Sequence, residues 1–162
     1  MLAEEMGNSS NRGKLVWILA SSRPDLIEVD LKRPGRIDVK IPLFPTASAR
    51  ESFDLLRRLC QKRGITISDS EYTEVESLIP LLLTPGAAET LAVKIYRLVR
   101  TSNANPADAL KRSLADYQNP VPLDTLEFQI RLAVSEASDL EFVPDLFRTK
   151  LPTSVRLPSK SG

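Results

Sequence analysis

The sequence contains no histidine in 162 residues. That removes the side chain most used as a general base near neutral pH and the commonest protein ligand for metals. Cys60 is the single cysteine, so neither an internal disulfide nor a cysteine-rich zinc site can form. A reducing, cytoplasmic setting is the expectation. In FDLLRRLC, Phe53, Leu56, Leu59 and Cys60 recur at helical spacing, which makes Cys60 a small core residue rather than a reactive thiol. Neither sign of charge is in excess, with 22 basic residues against 21 acidic ones. A surface built for nucleic acid needs a basic excess or stripe, so no nucleic-acid partner is expected. The basic run RRLCQKRG, Arg57 to Gly64, reads as a solvated helix face. No apolar run approaches the roughly 20 residues that span a bilayer, and MLAEEMGNSS lacks a signal peptide's basic start and apolar stretch. No membrane partner is expected either.

What is present is an ordinary globular composition, 42% apolar and 27% charged. The length suffices for one domain with a real core or for two small ones. A helix-like piece, Leu2 to Met6, and the polar loop GNSSNRG come first. LVWILA, Leu15 to Ala20, is a short continuous apolar run, which fits a strand buried on both faces with Trp17 in the core. Ile37 to Leu43 reads as a second strand, ending among Pro42 and Pro45.

From Thr46 the period turns helical. Thr46 or Ser48 caps a helix to about Arg63; Ser48 and Glu51 have capping-box spacing, and Gly64 ends it. Ser68 or Asp69 caps a second, with Val75, Leu78, Ile79, Leu82 and Leu83 on one face and Pro80 kinking or ending it. Thr84 and Pro85 start a third, with the stripe Ala88, Leu91, Ala92, Ile95 and Val99. Asn105 and Pro106 start a fourth, with Ala107, Leu110, Leu114 and Tyr117 inward. Asp124 and Glu127 form a capping box for a fifth, through about Ala137.

The predicted organisation is therefore an α/β piece over residues 1–45, a helical bundle over 46–118, further helices over 119–150 and a disordered tail over 151–162. The fold class is mostly α, with about two parallel strands. Two strands are too few for a stable sheet. A bare strand edge invites pairing with another copy, so self-association of the chain is expected.

RPGRID, Arg33 to Asp38, sets two arginines around a proline-glycine pair. Pro at the second position of a turn pre-sets φ, and Gly at the third accepts the positive φ of a type II turn. Such a turn fixes where Arg33 and Arg36 point. Asp38 stands close enough in sequence to pair with either. Arg23 and Asp25, in SRPD, are expected to hold their loop by local hydrogen bonds. The bland alternative for the turn is a bend carrying solvated arginines.

The whole stretch LVWILASSRPDLIEVDLKRPGRIDVKIPLFP resembles the second region of homology of AAA ATPases. The family pattern there runs A-[ST]-N-R-P-D-x-[IL]-D-x-A-L-x-R-P-G-R-[FI]-D. The helices after Arg50 resemble the family's C-terminal lid, and PGAAE, Pro85 to Glu89, resembles the G-A-[DE] of its second-sensor helix. The resemblance implies a P-loop NTPase core with a helical lid and a ring of subunits, usually six, with ATP and magnesium bound between them. Hydrolysis in such a ring remodels a protein substrate. The RPGR turn and the near-neutral charge speak against the DNA-acting branches.

Carried onto this chain, the resemblance makes Arg33 and Arg36 arginine fingers and Ser22 the first sensor, in place of the usual Asn. Gly86 and Ala87 become the small residues by the nucleotide. No arginine stands at PGAAE, so an arginine-type second sensor is not available. The sequence has no G-x-x-x-x-G-K-[ST] loop and no apolar strand ending in Asp-Glu. The implied role is the C-terminal part of an AAA module, inactive towards ATP by itself, without tightly bound cofactor and without a metal site of its own. The alternative is a non-catalytic AAA-like assembly module.

Overall fold

The computed structural model describes residues 2–11 and 13–150. The chain divides into two compact units, one from Phe44 to Leu123 and one joining the residues up to Leu43 with those from Asp124 onward.

In the Phe44–Leu123 unit, helix formation follows local signals. Helix α2 (Ala49–Gln61) is capped by Ser48, whose Oγ accepts from the Glu51 N–H at 3.2 Å. The Glu51 carboxylate returns to the Ala47 N–H at 2.7 Å, a capping box displaced by one residue. Gly64, at φ +72°, turns the chain out of the helix. The second expected helix is fragmented. A 3₁₀ turn at Asp69–Glu71, capped by Ser68, leads to α3 (Tyr72–Val75) and a second 3₁₀ turn at Glu76–Leu78. Ile79 is extended, as a residue preceding proline favours. Val75, Ile79 and Leu83 are buried, but Leu78 is exposed and Leu82 only half-buried. The tighter 3₁₀ winding shifts the apolar stripe away from α-helical register.

Helix α4 (Pro85–Thr101) is capped by Thr84, which accepts from the Ala87 N–H at 3.3 Å, with Pro85 in its first turn. Helix α5 (Pro106–Ala115) is capped by Asn105. Helix α4 packs on both α2 and α5. Their buried faces meet in one core containing Phe53, Leu56, Cys60, Leu91, Ile95 and Leu110. On α5 it is Ala109 that is fully buried, while Ala107 is only half-buried.

The other unit contains α1 (Leu2–Gly7), α6 (Leu123–Glu136) and α7 (Asp145–Lys150). Helix α6 begins one residue before Asp124, so that residue lies inside the first turn rather than at a cap. Met6, Leu126, Ile130, Leu132, Val143 and Phe147 are its buried apolar side chains. The two expected strands are not formed: no strand occurs among the described residues. Val16 and Ile18 are 89% and 91% exposed, and Trp17 is exposed as well. A strand exists only as part of a hydrogen-bonded ladder, and neither apolar segment joins one among the described residues. The tail predicted over 151–162 lies outside the described residues. No described helix is long and apolar enough to cross a membrane.

Candidate functional site

The Arg33–Arg36 turn has the predicted geometry. The Arg36 N–H donates to the Arg33 carbonyl at 3.2 Å, and Gly35 sits at φ +85°. Both are what a type II turn requires. The bend is closed from below by Asp38, whose Oδ1 accepts from the Gly35 N–H at 2.7 Å. The expected pairing of Asp38 with an arginine is therefore not what forms.

The arginines instead share Asp30. Residues 28–33 coil in successive turns, with N–H to carbonyl bonds from Leu31 to Glu28 at 3.0 Å and from Lys32 to Val29 at 3.1 Å. That winding brings residue 30 beside residues 33 and 36. One carboxylate oxygen of Asp30 lies 3.2 Å from Arg33 Nη1. The other accepts from Arg36 Nη1, which also donates to the Asp30 carbonyl at 2.8 Å. The two guanidinium groups differ sharply in exposure, 71% for the Arg33 side chain and 25% for Arg36. Arg36 lies across the end of α1, where a Cβ added to Gly7 would meet its Nε at 3.4 Å.

Both flanks of the turn are tied to the end of α6. Glu136 binds Lys32 at 2.5 Å and Lys40 at 3.5 Å. Beyond the helix, the Lys40 N–H donates to Ser138 Oγ at 2.5 Å, and the Ser138 N–H donates to the Lys40 carbonyl at 3.2 Å. These partners are about a hundred residues apart in sequence, and no local signal announced them.

Ser22 is exposed. It lines a trough of about 1300 Å³ whose walls include Leu15–Leu19, Ile37–Leu43 and, from α6, Leu132. Arg36 lines the same trough, so the structure brings Ser22 and Arg36 to one concave face. Arg23 and Asp25 make local hydrogen bonds, and they make them with each other, at 2.9 and 2.7 Å. The hydrogen bond from Arg23 lowers the pKa of the Asp25 carboxyl below its ordinary value.

Gly86 and Ala87 lie in the first turn of α4. A Cβ at Gly86 would meet nothing within 4 Å, so the helix start leaves open space beside its backbone. Ala87 is buried. Glu89 is engaged by Arg63. Ala87 also lines a cleft of about 330 Å³ between α4 and the end of α5, together with Lys94, Ser113 and Tyr117. The buried hydroxyls of Ser113 and Tyr117 have no protein partner there. The inward stripe expected of the fourth helix includes Tyr117 and does not include Ser113.

No family model matches the chain, and no solved structure matches it. Curated relatives do. The chain is 27% identical over 135 residues to ATPase family gene 2 protein of Schizosaccharomyces pombe, a match covering 83% of this chain and 16% of that protein. It is 34% identical over 84 residues to Peroxisomal ATPase PEX6 of Candida glabrata, covering 52% of this chain and 8% of that protein. Over 52 residues it is 44% identical to Proteasome-activating nucleotidase of Methanocella arvoryzae, covering 31% of this chain and 12% of that protein. The chain thus spans 16% or less of the length of these relatives. They bear out the resemblance to AAA ATPases.

Proposed function

We propose that the chain is the C-terminal part of an AAA ATPase module, and that it completes an ATP site carried by a neighbouring subunit in a ring. The observation that carries this reading is the RPGR bend. A type II turn, closed by Asp38 and tied to α6 on both flanks, presents Arg33 to solvent as a stiffly mounted planar cation. Such a group neutralises charge that builds on the γ-phosphate, an effect worth about a thousandfold or more in rate in related systems. Arg36 supplies a second positive charge beside it. Ser22 is the first-sensor candidate, a hydroxyl that donates one hydrogen bond towards the attacking water.

The open backbone at Gly86 suits close approach of a base or ribose, and the positive end of α4 favours an anion. The sequence offers no loop to cradle β- and γ-phosphates and no acidic pair for magnesium. In this reading ATP and magnesium are held by residues outside this sequence, and the chain alone does not hydrolyse ATP. The partners are further subunits in a ring, of six in the usual case, and a protein substrate remodelled in the cytoplasm. The relatives' names, an ATPase family protein, a peroxisomal ATPase and a nucleotidase, support the ATPase assignment.

The test is ATP turnover by the assembled protein with Arg33→Ala, then Arg36→Ala, in every copy. A loss of about a thousandfold for Arg33→Ala is expected. Unchanged turnover removes the finger assignment. Assembly without turnover in the unmutated protein would favour the non-catalytic alternative.

A further inference from the structure

We propose that Asp30 is a positioning residue for the two arginines. Its carboxylate assigns them different tasks, leaving Arg33 to reach outward and holding Arg36 inboard against the end of α1. This deepens the reading above and rests on it only for the catalytic consequence.

The geometry is specific. Each Asp30 oxygen serves one guanidinium, with Arg33 on Oδ1 and Arg36 on Oδ2. Both hydrogens of Arg36 Nη1 are committed to residue 30, one to the carbonyl and one to the carboxylate. Arg36 is three-quarters covered and faces Gly7, so it is the anchored cation. Arg33 keeps a single contact at 3.2 Å and most of its surface in water. Two like charges three residues apart in a tight turn repel; a carboxylate between them offsets that repulsion and gives each a defined resting place. The AAA pattern has alanine at this position, so the device belongs to this chain rather than to the general motif. An amide cannot replace it, because a carboxamide has one acceptor oxygen and would turn N–H donors towards the second guanidinium.

Two measurements on the full chain and its assembly test this. The first is low-temperature side-chain NMR of the arginine Nη–H groups, which make the Asp30 contacts, in the wild type, Asp30→Ala and Asp30→Glu. In Asp30→Ala, hydrogen exchange at Arg36 is expected to speed up at least fivefold, while the Gly35 amide held by Asp38 keeps its protection. Asp30→Glu should recover part of the Arg36 protection. Unchanged Arg36 exchange in Asp30→Ala overturns the proposal, as does loss of Gly35 protection, which would make Asp30 a support of the turn itself. The second is ATP turnover of the assembled Asp30→Ala protein. A fall of about tenfold in kcat with KM within twofold is expected, recovered in part by Asp30→Glu. A KM change without a kcat change overturns the positioning role. If Arg33→Ala leaves turnover intact, the finger reading falls, and the NMR result still decides what Asp30 does.

Discussion

Replacing Ser52 by alanine should destabilise the Phe44–Leu123 unit far more than loss of one oxygen suggests. Ser52 is fully buried on α2. Its hydroxyl donates to the Pro80 carbonyl at 2.9 Å and lies 2.6 Å from Thr46 Oγ1. Counting hydrogens fixes the direction of the chain. The single Ser52 hydrogen goes to Pro80, so Thr46 gives its own hydrogen to Ser52. Thr46 Oγ1 in turn accepts from the Leu83 N–H at 3.0 Å. Four groups are thus joined in one donor sequence, from Leu83 through Thr46 and Ser52 to Pro80. It begins one residue before Thr84, the cap of α4, and so helps to set where the Gly86–Ala87 helix start lies within this unit. Alanine at 52 leaves the Pro80 carbonyl without its donor and the Thr46 hydroxyl hydrogen without its acceptor, while Thr46 Oγ1 keeps the Leu83 N–H. An unsatisfied buried group costs about 1–3 kcal/mol. Both orphans are half-buried and water reaches them in part, so about 1 kcal/mol each, or about 2 kcal/mol together, is the expected loss. For a unit of this size that is a fall in Tm of roughly 8–16 °C. Urea and thermal unfolding followed by circular dichroism measure it, with the exposed Ser70→Ala as a control expected to change stability by under about 0.5 kcal/mol. Thr46→Val combined with Ser52→Ala should cost clearly less than the sum of the two, since each breaks the same chain. A Ser52→Ala loss below about 0.5 kcal/mol, or strict additivity, would refute the reasoning.

Gly35→Ala forces a side chain onto a residue at φ +85°, at a cost of about 1–2 kcal/mol, and should abolish hydrogen-exchange protection of the Arg36 amide while leaving α4 amides protected. Burial pushes the Cys60 thiol up to about 11 from its ordinary 9.0, so the folded chain keeps its proton where the unfolded chain has lost it. That contribution is fully present below about pH 9 and is lost as pH rises from there towards 11, so urea midpoints should fall across that window in the wild type and less in Cys60→Ala. Val16, Ile18 and Leu43 expose apolar surface on segments without strand partners, so the chain should self-associate in dilute solution, and Ile18→Ser should reduce this in light scattering; a clean wild-type monomer would count against the idea.

The features that could be read in advance share one property: their cause lies within a few residues. Ser48, Thr84 and Asn105 cap the helices that follow them because a short polar side chain reaches an N–H two or three positions on. Pro34 and Gly35 specify their turn by backbone sterics alone. Asp30 was missed although it too is local. Proximity to the turn favoured Asp38, whereas the preceding coil places residue 30, three and six positions back, beside both arginines. Helical spacing decided the partner in a stretch that composition marks only as loop. The clamp from Glu136 to Lys32 and Lys40 has no local cause at all, since any carboxylate brought there by folding would serve. LVWILA marks the limit from the other side. Its apolar run states that these residues favour burial, but a run of that length carries no record of what would cover them. Strand pairing is a property of two segments together, and neither LVWILA nor Ile37 to Leu43 states by its own composition what it would pair with. The same division applies to the candidate site. The bend that mounts Arg33 is written in four consecutive residues, and the charge that sorts Arg33 from Arg36 depends on how the chain coils before it. The direction of Arg33 is therefore set locally, by its turn and by Asp30, while the flanks of that turn are held by Glu136 of α6, about a hundred residues away in sequence.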